Sequence, residues 1–162
     1  MQVRFVLTTI ILSALLASCS YTYDSQLKLV SNSAPLTFTI ESDQKVQWIW
    51  IQGPIQNKRE PAPKIPEPDD PEKVIIWRIE PEVQGDIRPF VPANSIPPIT
   101  YGQVPKGWEQ VKPESGAPPA LLNGYVYYVG VVPGPDLCVF VKNGRIEPYQ
   151  EQEPGPPCGT KK

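Results

Sequence analysis

The sequence predicts an all-β fold: a single antiparallel β-sandwich, Ig-like or fibronectin-like, with long proline-rich loops. The chain contains 22 prolines, all at or after Pro35, and proline excludes long helices where it recurs every few residues, because it lacks an N–H and fixes φ. No later stretch sustains an apolar period near 3.6, whereas alternation with period two recurs. Seven or eight short apolar runs separated by turn residues favour a sandwich over a barrel.

Each predicted strand has its own pattern. The clearest is the run in which Leu36, Phe38 and Ile40 alternate with threonines. Asn143 and Gly144 are typical of a two-residue type I′ hairpin turn between two further runs. The predicted strands are Leu27–Leu29, Leu36–Ile40, Val46–Ile51, Val74–Ile79, Ile99–Tyr101, Tyr125–Val132, Leu137–Val141 and Arg145–Tyr149.

Large aromatic side chains are expected to fill the space between the two sheets. In the run Val46–Ile51, alternation places Trp48 and Trp50 on one face and the two isoleucines on the other. The aromatic residues predicted to form this core are Trp48, Trp50, Trp77, Tyr127 and Phe140.

The first nineteen residues have the three parts of an export signal. A positive charge at Arg4 precedes an apolar run from Phe5 to Leu16, and small residues lead to Cys19. The run is shorter than the roughly 20 apolar residues that a bilayer span needs. An ordinary signal peptide with an incidental cysteine, or a buried N-terminal helix, are the alternatives.

Leu16-Ala17-Ser18-Cys19 resembles the lipobox of bacterial lipoproteins. The resemblance implies that residues 1–18 are removed and that Cys19 carries the lipid. Ser20 follows, where aspartate would resemble the inner-membrane retention signal of enterobacteria, so the resemblance implies an outer-membrane anchor facing the periplasm. Residues 19–26 form a short tether, and residues 27–162 are predicted to form one domain.

Three cysteines are present, and lipidation of Cys19 leaves Cys138 and Cys158. An even pair in an exported protein predicts a disulfide, which would pin the tail from Glu153 to Gly159 onto the strand containing Cys138. Closing a loop of about 20 residues contributes about 3 kcal/mol in the chain-entropy model. Two unpaired thiols are the alternative, and a metal site is less favoured still.

Composition excludes several classes of function. The chain has no histidine, which removes Ser-His-Asp and Cys-His catalytic systems and His-ligated zinc. Loss of Arg4 with the signal takes the formal net charge from −2 to −3. No basic stripe of a nucleic-acid-binding protein is present. No cofactor or metal is expected, and Asp69-Asp70-Pro71-Glu72 lacks the spacing and glycine of an EF-hand calcium loop.

Two segments are candidates for binding a partner. Gly53–Glu72 contains six prolines, among them Pro61, Pro63 and Pro66, and could dock as a polyproline helix in an aromatic groove; a solvated loop is the favoured alternative. The other long segment, Gln84–Pro98, is predicted to be a loop without further assignment.

Tyr101 and Trp108 lie in a stretch rich in glycine, proline and aromatic residues. They could form an exposed platform for a sugar or peptide, although packing at the end of the sandwich is favoured. The stretches Pro98–Gln110 and Ala117–Tyr125 resemble small uncharacterised exported bacterial proteins, a resemblance that implies no function.

Taken together, the residues predict a non-catalytic, membrane-anchored lipoprotein that acts as an envelope binding, scaffold or accessory module. Its expected partner is an envelope protein or a toxin. The alternatives are a periplasmic immunity lipoprotein that neutralises a delivered toxin and, less favoured, a cell-wall hydrolase using the carboxylates of Glu109 and Glu114.

The lipobox generates a direct prediction. Replacing Cys19 by serine removes the thiol that accepts the acyl chain, so the variant should remain uncleaved or become soluble and should incorporate no labelled palmitate. Incorporation of palmitate into Cys19→Ser at the level of the unaltered chain would contradict the lipobox interpretation.

Overall fold

A computed structural model of the chain describes residues 25–56 and 74–149. Within these ranges the chain forms antiparallel strands and short 3₁₀ turns such as Ala93–Ser95, which confirms the predicted all-β class. The strands are β1 (Gln26–Leu29), β2 (Thr37–Glu41), β3 (Lys45–Val46), β4 (Trp48–Gln56), β5 (Ile75–Pro81), β6 (Val91–Pro92), β7 (Ile99–Thr100), β8 (Trp108–Lys112), β9 (Tyr125–Val132), β10 (Asp136–Lys142) and β11 (Arg145–Pro148).

The strands form a sandwich of two unequal sheets. The larger has six strands in the order β11-β10-β9-β4-β5-β8, and the smaller has three in the order β1-β2-β7. Strands β3 and β6 pair as a separate ribbon. Six strands against three is a more unequal division than the four against three of an immunoglobulin constant domain.

One hydrophobic cluster fills the space between the sheets. Its fully buried members come from both sheets, because inward-facing residues alternate along each strand. Trp77 and Tyr127 belong to this core, as predicted. The fully buried members with the largest side chains are Leu36, Phe38, Val46, Ile49, Ile51, Trp77, Ile79, Ile99, Tyr127, Val129 and Ile146.

Three of the predicted core aromatics lie elsewhere. Ile49 and Ile51 take the inner face of β4, so Trp48 and Trp50 lie on the outer face, partly exposed. Phe140 also faces outward, in a second small cluster with Val126 and Cys138. The prediction failed because both faces of Trp48–Ile51 are apolar, and alternation alone does not show which face meets the opposite sheet.

The sandwich has two distinct ends, fixed by strand register. At the N-terminal end lie the beginning of β1, the end of β2, the beginning of β4, the end of β5 and the β9–β10 turn. The opposite end, called the hairpin end, holds the turn Asn143-Gly144. Backbone hydrogen bonds from Ala34 N–H to Gly144 O (3.4 Å) and from Ile146 N–H to Asn32 O (2.9 Å) join the two sheets there.

The β10–β11 hairpin has the turn that the sequence predicts. Asn143 and Gly144 both have positive φ, 51° and 75°, as a type I′ turn requires. Strand β8 was not predicted, because its only large apolar residue facing inward is Trp108 and an edge strand shows little alternation.

The segment Gln84–Pro98 is more ordered than the loop predicted for it. It contains the two-residue strand β6 and the 3₁₀ turn, in which Ala93 is 1% exposed. Ala93 N–H donates to Gln44 O at 2.9 Å, which ties this segment to the β2–β3 turn. In the described ranges there is no helix of sufficient length and apolarity to cross a bilayer.

Candidate functional site

A buried carboxylate marks the end of β5. Glu80 is 7% exposed and is the one buried charged residue among the described residues. Burying an ionised carboxylate is unfavourable unless it is paired and hydrogen-bonded. Arg78, two residues earlier on the same face of β5, pairs with Oε1 of Glu80, and Arg88 approaches Oε2 through Nε at 2.8 Å.

Arg88 joins three elements at once. Besides Glu80, its guanidinium donates through one terminal nitrogen to the carbonyl oxygen of Pro81 at 2.6 Å and to Oε1 of Glu109 at 2.6 Å. Glu109 lies on β8, opposite Glu80 in register. The Arg88 side chain therefore fixes the loop that carries it against both β5 and β8.

That loop, Glu82–Phe90, projects from the N-terminal end and is called here the clamped loop. Its tip is a tight turn in which Gln84 and Ile87 exchange backbone hydrogen bonds of 2.9 and 3.3 Å. Gly85 has φ of +65° at the bend, a conformation in which glycine carries no steric penalty. Three large apolar side chains of the loop face solvent: Val83 is 50%, Ile87 72% and Phe90 51% exposed.

A shallow cleft lies beside the clamped loop. It is lined by Asp43, Gln44, Lys45, Phe90 and Pro133. The β2–β3 turn, the clamped loop and the β9–β10 turn therefore meet at the N-terminal end.

A second surface, the aromatic face, lies on the outer side of the six-stranded sheet and comprises Trp48, Trp50 and Tyr128. Trp50 and Tyr128 pack edge to face with ring centroids 5.1 Å apart. The indole of Trp50 lies across Gly130, where an added Cβ would be 2.5 Å from its Nε1. Glycine at this position therefore provides the space for the indole against the sheet.

Arg78 connects the aromatic face to the buried carboxylate. Its guanidinium lies 5.0 Å from the centroid of the Trp48 ring, within cation–π range. Its Nε is buried without a hydrogen-bond partner, so the ring and Glu80 together stabilise the charge.

Tyr128 is held at its hydroxyl end by a carboxylate. The hydroxyl donates to Oδ2 of Asp136 at 2.6 Å. Burial, followed by this hydrogen bond and the negative charge of Asp136, raises the pKa of Tyr128 above its usual value. The hydroxyl is therefore the donor in this pair, and the carboxylate of Asp136 is the acceptor.

Tyr101 and Trp108 are both engaged in packing. Trp108 is 6% exposed and opens β8 at the N-terminal end, opposite Pro81. Tyr101 follows β7 at the hairpin end, where its hydroxyl donates to Pro119 O at 2.7 Å. The Tyr101 ring packs edge to face against Trp77, with ring centroids 5.5 Å apart. Burial raises the pKa of the Tyr101 hydroxyl. The structure thus places the two at different ends, and a binding role for either remains a prediction.

Several candidates fall outside the described residues: Cys19, Cys158, Pro61, Pro63 and Pro66. Cys138 is disulfide-bonded; its pairing with Cys158 remains a prediction. Glu109 is bound by Arg88, whereas Glu114 lies exposed beyond the end of β8. In the described part of the chain no three potential metal-ligating side chains come together.

No family model matches the chain, and neither a curated protein nor a solved structure is detectably similar to it. The two surfaces are therefore interpreted from their own chemistry.

Neither the clamped loop nor the aromatic face was predicted as a site from the sequence. One signal was present: Arg78 and Glu80 stand two residues apart in an otherwise apolar strand, so they share a face and require polar partners there. The partner, Arg88, lies in an irregular segment whose path cannot be derived from periodicity.

The network predicts a measurable difference between two ion pairs. Replacing Arg88 by methionine keeps most of the side-chain volume but leaves Glu80 with one arginine and Pro81 O without its donor. We expect the free energy of unfolding to fall by about 1–3 kcal/mol, the range for leaving buried polar groups unsatisfied, as measured by urea denaturation.

The matched control is Lys28→Met. Lys28 pairs with Glu41 at 2.6 Å, and both side chains are about half exposed, so the loss should stay below about 1 kcal/mol. An equal loss of unfolding free energy in the two variants would show that the buried Glu80 network stabilises the fold no more than an exposed ion pair does.

Proposed function

We propose that this protein is a lipid-anchored, non-catalytic binding module of the bacterial envelope, which acts as a scaffold or accessory by receiving a partner protein on its aromatic face. In this proposal the lipid on Cys19 of the lipobox anchors the protein in the outer membrane, and the domain faces the periplasm. The observation that supports a binding role most strongly is the placement of Trp48, Trp50 and Tyr128 outside the core.

The composition of the aromatic face is that of a protein-binding surface. Tryptophan, tyrosine and arginine are enriched among the residues that contribute most to protein–protein affinity. Here Trp48, Trp50 and Tyr128 are partly exposed, and Arg78 lies over one of the rings. Strand positions facing solvent normally carry polar residues, so this set favours contact with a partner.

The aromatic face is also held in place before any partner arrives. Trp50 packs across Gly130 and against Tyr128, and Asp136 fixes the hydroxyl of Tyr128. A surface already in its bound arrangement loses less side-chain entropy on association. This arrangement supports specific binding by a rigid sheet surface.

The geometry around Glu109 supports the non-catalytic part of the proposal. A glycosidase needs one carboxylic acid and one carboxylate flanking the scissile bond. Glu109 accepts a hydrogen bond from Arg88 at 2.6 Å and thereby holds the clamped loop. Its interactions are those of a structural residue.

The proposal is tested by photocrosslinking in intact cells. A photoreactive amino acid at Gln52, on the outer face of β4 beside the aromatic face, should yield one defined protein adduct. Trp48→Ala or Trp50→Ala should reduce it by about 30-fold or more, as expected for loss of a hot-spot residue of 2 kcal/mol.

The control carries the same photoreactive residue at Lys28, which is on β1 of the smaller sheet and half exposed. Circular dichroism verifies that each alanine variant remains folded. The proposal is wrong if the Gln52 adduct is unaffected by both tryptophan substitutions. It is also wrong if the purified protein hydrolyses peptidoglycan and Glu109→Gln abolishes the turnover.

A further inference from the structure

Exposed apolar side chains in the described residues are concentrated on the clamped loop. Of the seven large hydrophobic residues that are exposed, Val83, Ile87 and Phe90 lie within this one segment. Single exposed hydrophobic residues are common on soluble proteins, whereas a local group of them indicates an interaction site.

The clamped loop lies at the end of the sandwich where β1 begins. Gln26, the first residue of β1, pairs with Glu41 at the end of β2. The turn that follows β2 lines the cleft with Phe90 and Pro133. The start of β1 and the clamped loop therefore lie at the same end of the domain.

The length of the tether restricts which end can approach the membrane. Six residues lie between Cys19 and Gln26, and the seven residue steps reach about 25 Å at most when fully extended. Strand β4, with nine residues, is about 30 Å long. Even fully extended, the tether is therefore too short to let the lipid-bearing residue reach the hairpin end.

The loop is kept in its exposed position by polar contacts. Arg88 stands between Ile87 and Phe90 in the sequence and is bound by Glu80, Pro81 O and Glu109. Its side chain therefore points into the domain while its apolar neighbours face solvent. A loop fixed in this way needs no rearrangement to present those neighbours to an apolar phase.

The charges at this end indicate which kind of surface the loop meets. Acidic residues outnumber basic ones in the turns and strand ends that meet here: Asp43, Glu82, Asp86 and Asp136 against Lys45 and Lys106. Attraction to anionic headgroups requires a basic cluster. Contact with lipid at this end therefore depends on the apolar side chains, and zwitterionic lipid is favoured over anionic lipid.

We propose that Val83, Ile87 and Phe90 insert into the zwitterionic headgroup region of the membrane that holds Cys19, so that the sandwich stands on its N-terminal end. The inference depends on the lipid anchor of the proposed function. It leaves the aromatic face, on the side of the sandwich, free to receive a partner.

The experiment uses the acylated full-length mature protein in vesicles of phosphatidylethanolamine and phosphatidylcholine. An environment-sensitive fluorophore is attached through Ile87→Cys or Phe90→Cys, and the controls are Val30→Cys and Leu122→Cys at the hairpin end. The controls are matched because Val30 is 54% and Leu122 49% exposed.

Probes at positions 87 and 90 should shift to shorter wavelength. Lipids spin-labelled near the headgroup should quench them at least about threefold more than the control probes, as expected for side chains 5–10 Å into the interface. The difference should persist at high salt, because the contact is apolar.

Equal quenching at all four positions overturns the inference while leaving the anchor intact. Protein that does not remain with the vesicles refutes the anchor, and the inference with it. A photoreactive residue at Ile87 that yields a protein adduct in cells, in place of lipid adducts, also overturns it, because the loop would then bind a protein.

Discussion

The buried carboxylate of Glu80 is the interaction on which both candidate surfaces depend. Through Arg78 it holds the guanidinium that lies over Trp48, and through Arg88 it holds the loop with Ile87 at its tip. Removing a carboxylate from water is unfavourable unless such partners are present. Loss of either arginine would leave the buried carboxylate less well paired, so both ion pairs are favoured. Arg78 supports the aromatic face, and Arg88 supports the clamped loop.

The two-layer architecture explains the position of the aromatic face. The smaller sheet packs on the inner face of the larger sheet, where Ile49 and Ile51 lie, and among the described residues no strand packs on the outer face. Trp50 is accommodated there because it lies across Gly130. The aromatic residues on the outer face thus pack against the sheet and, in the proposed function, also bind the partner.

The fold could be predicted from local patterns where one face of a strand was apolar. The alternation in Leu36–Ile40 predicted a strand and the pair Asn143-Gly144 predicted a type I′ turn; the structure confirms both, with the strand at Thr37–Glu41. The orientation of Trp48–Ile51 could not be predicted, because both of its faces are apolar. The register that places Trp50 opposite Gly130 is a long-range property of the chain.

The site was less predictable than the fold. The proposed anchor could be named from the sequence because its resemblance to a lipobox lies in four contiguous residues, whereas the Glu80 network joins residues from two strands and a loop. Arg78 and Glu80 were visible as a polar pair within an apolar strand, but nothing local indicated that Arg88 would complete it. Packing of Trp108 in the core depends equally on its pairing with Pro81 across β5 and β8.

Amide hydrogen exchange of the Glu80→Gln variant measures whether the Glu80 carboxylate holds the clamped loop in place. Glutamine preserves the shape and removes the charge. We expect faster exchange at Gln84 and Ile87, whose amides bond across the turn, while the amides of β9 and β10 keep their protection. Unchanged exchange at both loop amides would contradict this role of the carboxylate.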